Sequence, residues 1–287
     1  MKNKSLGFLL LMSFLIAMDF PQQEGFREEF DSDELIHFKY GSTGKTSKFK
    51  WKIGEVFDEE NKGLSFKLHP REKAGPGKGP ELISKDFTHF GTYSARLKVP
   101  DPRKSQPQVG AVVGLFTYHE DKVLGLSEID FEWLIADPRI IYVGTWTGKP
   151  DSLRRVGRTI NLAEGIIYTS EERLDYARER KPLTDTSPQT IEAIPDFDAS
   201  SQFHTYGFDW NEERVRWWMI HPVSADTLIL WDYQGENGIP QHPSKYRINF
   251  WHTANWGVET KPEATEAPKR RYELQVDWME YRPKVGF

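Results

Sequence analysis

The sequence predicts an all-β protein, a large antiparallel sandwich built as one domain, and three observations predict it. Apolar and polar residues alternate with a period of two over many short runs, as half-buried strands require. Turn-forming clusters such as Asp31-Ser32-Asp33, Gly41-Ser42-Thr43-Gly44 and Gly75-Pro76-Gly77 separate those runs. Helical signals are rare, the clearest being the charged stretch Glu171 to Arg180. Sandwiches commonly run to about 200 to 250 residues as a single unit, so a chain of 287 residues fits one domain plus a leader.

At the amino terminus, Lys2 and Lys4 precede the apolar run Gly7 to Met18. That run is too short to span a bilayer, which takes about 20 residues. It suits the apolar region of a signal peptide, with Ala17 as the small residue near a cleavage point. Residues 1–20 are therefore expected to be a signal peptide and 21–287 the domain, with a secreted, periplasmic or cell-surface location. The competing reading is an uncleaved anchor, the one route by which this chain would meet a membrane. The sequence contains no cysteine, so neither disulfides nor a Cys-ligated zinc can support an exported domain. It must rely on its core or on an oxygen-ligated ion.

Short strands are expected between Phe26 and Phe66, followed by a loop from Lys73 to Pro80 where Gly and Pro crowd together. Gly91 to Val99 alternates and is closed by Pro100 and Pro102, which reads as a central strand. Val109 to Tyr118 is continuously apolar and is expected to be buried on both faces. Ile140 to Thr147 is a further strand with Trp146 near its end. An insertion follows at about 169–200, expected as a short charged helix and then a polar, Pro-containing surface stretch. Phe203 to Trp210 and Val215 to Ile220 form a hairpin around Asn211-Glu212-Glu213-Arg214. Leu228 to Trp231, Tyr246 to Trp251 and Tyr272 to Tyr281 complete the strands.

Composition narrows the function. The net charge is -5, with no basic run or stripe to track phosphates, so nucleic acid is excluded as a partner. Aromatic residues make up 14% of the chain against 38% hydrophobic overall, leaving rings over for a binding surface.

The stretch Ser127-Glu128-Ile129-Asp130-Phe131-Glu132-Trp133-Leu134 alternates strictly. On a strand, Glu128, Asp130 and Glu132 share one face, and Ile129, Phe131 and Trp133 the other. Three like charges in a row repel, and a fold seldom needs them for stability. They do supply acids with separated pKa values, one protonated and one ionised, which is the pair that glycoside hydrolysis uses. Glu128 and Glu132 lie ~13 Å apart along a strand rising about 3.3 Å per residue. Side chains leaning together would close that gap toward the roughly 5 Å of a retaining pair. The strand alone leaves a second reading open, in which this face is merely solvated.

With its neighbours, the sequence resembles glycoside hydrolase family 16 from about Phe26 to Tyr281. Glu128-Ile129-Asp130-Phe131-Glu132 matches the family's E-x-D-x-E signature in the form found in lichenases and xyloglucan-active members. Phe90 to Lys98 is similar to the strand entering the cleft, and Phe203-His204-Thr205-Tyr206-Gly207-Phe208-Asp209-Trp210 to the family's F-H-T-Y-x-F-D-W run. The resemblance implies a concanavalin-like β-jelly roll of two curved antiparallel sheets. It also implies that Glu128 is the nucleophile, Glu132 the general acid and then base, and Asp130 the group between them; the order of the two glutamates comes from the family alone.

Sugars present apolar C–H faces, so a glycan cleft needs aromatic platforms with polar edges. Trp146, Trp251 and Trp256 are the candidates, each with core packing as its other reading. Asn249-Phe250-Trp251 resembles the family's N-L-W segment on the acceptor side, and Glu81 matches a substrate-contacting glutamate of lichenases, or is a plain surface carboxylate. Asp277 in Val276-Asp277-Trp278 matches the aspartate with which many members hold a structural calcium. Two departures weaken assignment to mixed-linkage glucan: Gly125-Leu126-Ser127 precedes the signature, and His252-Thr253-Ala254-Asn255-Trp256 follows Trp251. The expectation is a monomeric retaining endo-β-glycosidase on a β-linked polysaccharide, a β-glucan first, needing no cofactor for catalysis. Its alternatives are a transglycosylase on the same glycans and a non-catalytic glycan-binding module.

Overall fold

The computed structural model describes residues 24–32, 34–41, 52–56, 62–174, 179–182 and 190–284, with backbone only at 52–56, 62 and 179–182. The expected leader lies outside the described residues. Among them the strands are β1 (Phe26–Glu28), β2 (Phe38–Tyr40), β3 (Lys52–Val56), β4 (Lys62–Leu68), β5 (Glu81–Ser84) and β6 (Gly91–Lys98). Next come β7 (Ala111–Asp121), β8 (Gly125–Leu134), β9 (Ile140–Gly148), β10 (Arg154–Asn161), β11 (Ile166–Leu174) and β12 (Glu179–Pro182). The series ends with β13 (His204–Asn211), β14 (Arg214–Ile220), β15 (Thr227–Tyr233), β16 (Lys245–His252) and β17 (Tyr272–Pro283).

They form two antiparallel sheets, one ordered β15-β14-β13-β6-β17-β4-β3 with β1 beside β17, the other β12-β11-β10-β9-β8-β7-β16-β5-β2. The all-β sandwich read from the alternation is what the chain forms. Inner faces of both sheets meet in one core, where Trp133, Trp217, Tyr93, Tyr206 and Tyr246 are fully buried. Phe131 and Trp133 of β8 pack on Tyr206 of β13 across the core, with ring centroids 5.2 and 4.7 Å apart. A second, smaller apolar cluster lies on the outer face of the β8 sheet and joins Val112, Leu134, Ile140, Trp251 and Val258.

The register of β8 decides which residues meet the core, because a slip of one residue would exchange its two faces. The β7–β8 turn holds it. Asp121 pairs with Gly125, and the Asp121 carboxylate accepts the N–H groups of Val123 (2.7 Å) and Leu124 (2.8 Å). Gly125 takes φ +94°, and a Cβ there would come within 2.4 Å of the Gly148 carbonyl, so the position suits only glycine.

One sequence expectation fails. Glu171 to Leu174 continue β11 rather than opening a helix, and β12 pairs with them. In the charged stretch that suggested a helix, Glu172 of β11 is paired across strands with Arg154 of β10, and cross-strand pairing overrides intrinsic preference. Part of the expected insertion thus widens the sheet. Its end is also packed, with Ile194, Phe197 and Ala199 buried in the core.

Candidate active site

Paired strands place residues in rows across the outer face of the sheet. Tyr118, Glu128, Trp146 and Arg155 form one row, on β7, β8, β9 and β10. Arg247, Phe116, Asp130 and Gly144 form the next, on β16, β7, β8 and β9. The third runs Glu81, Asn249, Gly114, Glu132, Tyr142. The rows cross the strands, so a cleft lies athwart the sheet with the three acids at its middle. On one side it encloses ≈ 330 Å³ lined by Glu81, Phe116, Tyr118, Arg247, Asn249 and Trp251, roofed by Pro76 and Gly77 of the loop at 73–80. On the other it encloses ≈ 660 Å³ lined by Tyr142, Trp146, Leu153, Arg155, Asn255 and Trp256.

Each residue expected to bind substrate lies in this cleft. Glu81 is buried and accepts a hydrogen bond from Arg247 Nη1 at 3.0 Å, so its surface reading fails. Asn249 faces Gly114, where a Cβ would stand 2.7 Å from its Oδ1. That buried oxygen has no hydrogen-bond partner among the described residues. Trp251 packs one side into the outer apolar cluster while lining the cleft, so it answers both of its readings. Trp256 stands edge-on to Tyr142, with centroids 5.5 Å apart and planes at 89°.

The acids are electrostatically unequal. Burial raises Glu128 to about 7, opposed by Arg247 and Arg155 and by a hydrogen bond with Asp130. Burial lifts Asp130 well above the carboxylate range, and the charges of Glu128 and Glu132 lift it further. Glu132 is raised to about 8 by burial and by Glu128, against the pull of Arg155. The arrangement keeps a proton on Asp130, shared with Glu128. Glu128 is then the most readily ionised of the three and Glu132 is protonated at neutral pH. A carboxylate beside a carboxylic acid is what displacement at a glycosidic carbon requires.

This has a measurable cost. A carboxyl whose folded pKa exceeds its unfolded value near 4.3 binds its proton more tightly when folded, so it stabilises the fold at low pH and loses that contribution as pH rises through the folded pKa. With Glu128 at about 7 and Glu132 at about 8, the melting temperature should fall between pH 5 and pH 8. In Glu132→Gln the slope should flatten, and scanning calorimetry across that range showing equal slopes would contradict the assignment.

Asp277 lies at a bulge in β17 where register shifts between Val276 and Trp278. Its carboxylate is ion-paired with Arg96 of β6, and among the described residues no group of three or more His, Asp or Glu gathers to hold an ion. Arg96 is therefore the partner that the fold gives Asp277, and a structural calcium held by this carboxylate with backbone oxygens stands as a proposal.

Sequence reading missed Arg247, Tyr142 and Arg155. Arg247 could have been found, since it sits two residues before Asn249 on one strand and so shares its face. Tyr142 likewise precedes Trp146 by four. Arg155 carried no local signal, because its place depends on the β9–β10 register.

A model of glycosyl hydrolases family 16 matches residues 184–280. A beta-glucanase of Brevibacillus brevis is 29% identical over 213 residues, covering 73% of this chain and 62% of its own length. The chain spans a little under two thirds of the length of such curated relatives. A lichenase derived from a mouse hindgut metagenome superposes with a TM-score of 0.54 at 19% identity, covering 91% of this chain and 99% of the lichenase. The Crh5 transglycosylase superposes with a TM-score of 0.54 at 15% identity, covering 92% of this chain and 86% of the other. Those two likenesses concern the fold. The chain is thus similar to glycosyl hydrolases family 16 over residues 184–280 and to a beta-glucanase over 213 residues.

Proposed function

We propose that the protein is a retaining endo-acting β-glycosidase that cleaves a β-linked polysaccharide, a β-glucan first, through a covalent glycosyl-enzyme intermediate. One observation carries the reading: Glu128, Asp130 and Glu132 stand in line on β8 at the centre of a cleft walled on both sides by aromatic and polar groups. A cleft with binding groups on both sides of the acids suits an internal bond of a long chain. Ionised Glu128 attacks the anomeric carbon while protonated Glu132 gives its proton to the departing oxygen. Glu132, now a carboxylate, then takes a proton from water as that water displaces Glu128. Asp130, holding its proton against Glu128, keeps the two glutamates in different states. The proposal includes export of the chain, a monomeric state, and chemistry done wholly by side chains. The Brevibacillus beta-glucanase supports glucan as the first substrate to try.

Mixed-linkage glucan, laminarin, xyloglucan, agarose and carrageenan, assayed for new reducing ends with product anomers followed by NMR, test the reading. Retained anomers on one of them support it, and inverted anomers refute it. Products longer than the starting oligosaccharide would move the assignment to transglycosylation, in which a sugar replaces water in the second step. Glycan binding without cleavage would make the protein a binding module.

A further inference from the structure

Two guanidinium groups approach the carboxylate row, and they are held differently. Arg247 on β16 donates to Glu81 at 3.0 Å and lies over the Tyr118 ring at 5.1 Å. Arg155 on β10 is clamped by aromatics: its Nε donates to the Tyr142 hydroxyl at 3.3 Å, and its guanidinium carbon lies 4.7 Å from the Trp146 ring centroid and 5.5 Å from that of Tyr142. Those two rings border the acids, since Trp146 is opposite Glu128 and Tyr142 is opposite Glu132 in the β8–β9 pairing.

We propose that Arg155 is the counter-cation of the whole acidic row and a positioning residue for the reaction, acting through Glu128 and Glu132. The inference rests on the glycosidase reading above. Three carboxyls crowded in one buried row would otherwise drift toward the neutral form, leaving no nucleophile, because burial and mutual repulsion both favour protonation. Arg155 opposes this at all three acids, whereas Arg247 does so at Glu128 alone. The other ionisable groups facing the row are Glu81, an acid held by Arg247, and the phenols of Tyr118 and Tyr142, whose own values are raised by burial. The phenols carry no charge at neutral pH, an acid cannot act as counter-cation, and none of these groups can replace Arg155. The same guanidinium also fixes the Tyr142 ring, which lies so close over Gly144 and Gly157 that a Cβ at either would come within 2.4 and 2.6 Å of the phenol oxygen.

Arg155→Gln and Arg155→Lys test the idea by pH–rate profiles and by titration of ¹³C-labelled glutamate carboxyls in the free protein. In Arg155→Gln both limbs of the kcat/KM profile should move to higher pH by about half a unit or more, with kcat/KM on the acid limb falling several-fold. Arg155→Lys, which keeps the charge, should stay near the wild-type profile. The carboxyl titrations should move the same way without any substrate, so they decide the inference even if no polysaccharide is cleaved. An Arg155→Gln profile and titration superimposing on wild type would overturn it, as would an Arg155→Lys profile displaced as far as that of Arg155→Gln. If Arg155→Gln does not fold, Arg155→Met takes its place: carboxyl titrations moved to higher pH sustain the proposal, and titrations superimposing on wild type end it.

Discussion

Glu128→Gln should give a folded protein whose hydrolysis of its best polysaccharide is reduced by at least roughly 10⁴-fold, the scale seen when a covalent nucleophile is removed. The amide fills the same space on β8 but cannot attack carbon. Folding should not suffer, because the core face of β8 is built from Ile129, Phe131 and Trp133, all fully buried. Removing one of three crowded acids should raise the melting temperature at pH 8 by relieving the buried charge. Glu132→Gln separates the two roles. With an aryl glycoside whose leaving group needs no proton, this variant should still release the aryl group in a first burst, and Glu128→Gln should not. Full activity in Glu128→Gln, or a burst in both variants, would remove the assignment of Glu128 as nucleophile.

Trp217→Ala should destabilise the protein by about 3 to 5 kcal/mol, the range for emptying a large aromatic site in a core. Trp217 of β14 is fully buried and stacks on Trp231 at 5.1 Å with planes 17° apart. Its Nε1–H also donates to the Asp130 carbonyl at 2.9 Å, from the opposite sheet. The central acid is therefore tethered from behind by the core. Trp217→Phe keeps most of the packing but withdraws the donor, and it should cost about 1 kcal/mol, the worth of one buried hydrogen bond. It should also lower kcat more than it changes KM, since Asp130 would sit less firmly between the glutamates. Urea unfolding followed by circular dichroism reads the first effect and steady-state kinetics the second. A loss below about 1 kcal/mol for the alanine variant would mean that the tether does not matter.

The central strand was legible because its alternation served two masters, core and cleft, with the same period of two. Ile129, Phe131 and Trp133 had to point one way, so the acids had to point the other. Glu81 and Asn249 were legible only through resemblance, since nothing in their own segments says that β5 and β16, from distant parts of the chain, pair beside the acids. The charged run Glu171 to Leu174 misled because local sequence cannot tell an Arg–Glu pair along a helix from one across two strands. The pairing of Asp277 with Arg96 was equally out of reach, since the two lie 181 residues apart and meet only through the register of β6 and β17.

The rows across the sheet have a consequence for length. Neighbouring strands stand about 4.8 Å apart, close to the advance of one sugar along an extended β-linked chain. On the proposed function, a polysaccharide lying across the strands would meet a new strand with each unit, and the sheet would act as a ruler with β8 at its zero mark. Toward β5 the graduations are β7, β16 and β5; toward the other edge they are β9 and β10, followed by β11 and β12. Product size would then change in whole sugars as edge strands are gained or lost in evolution, with the chemistry at the zero mark untouched.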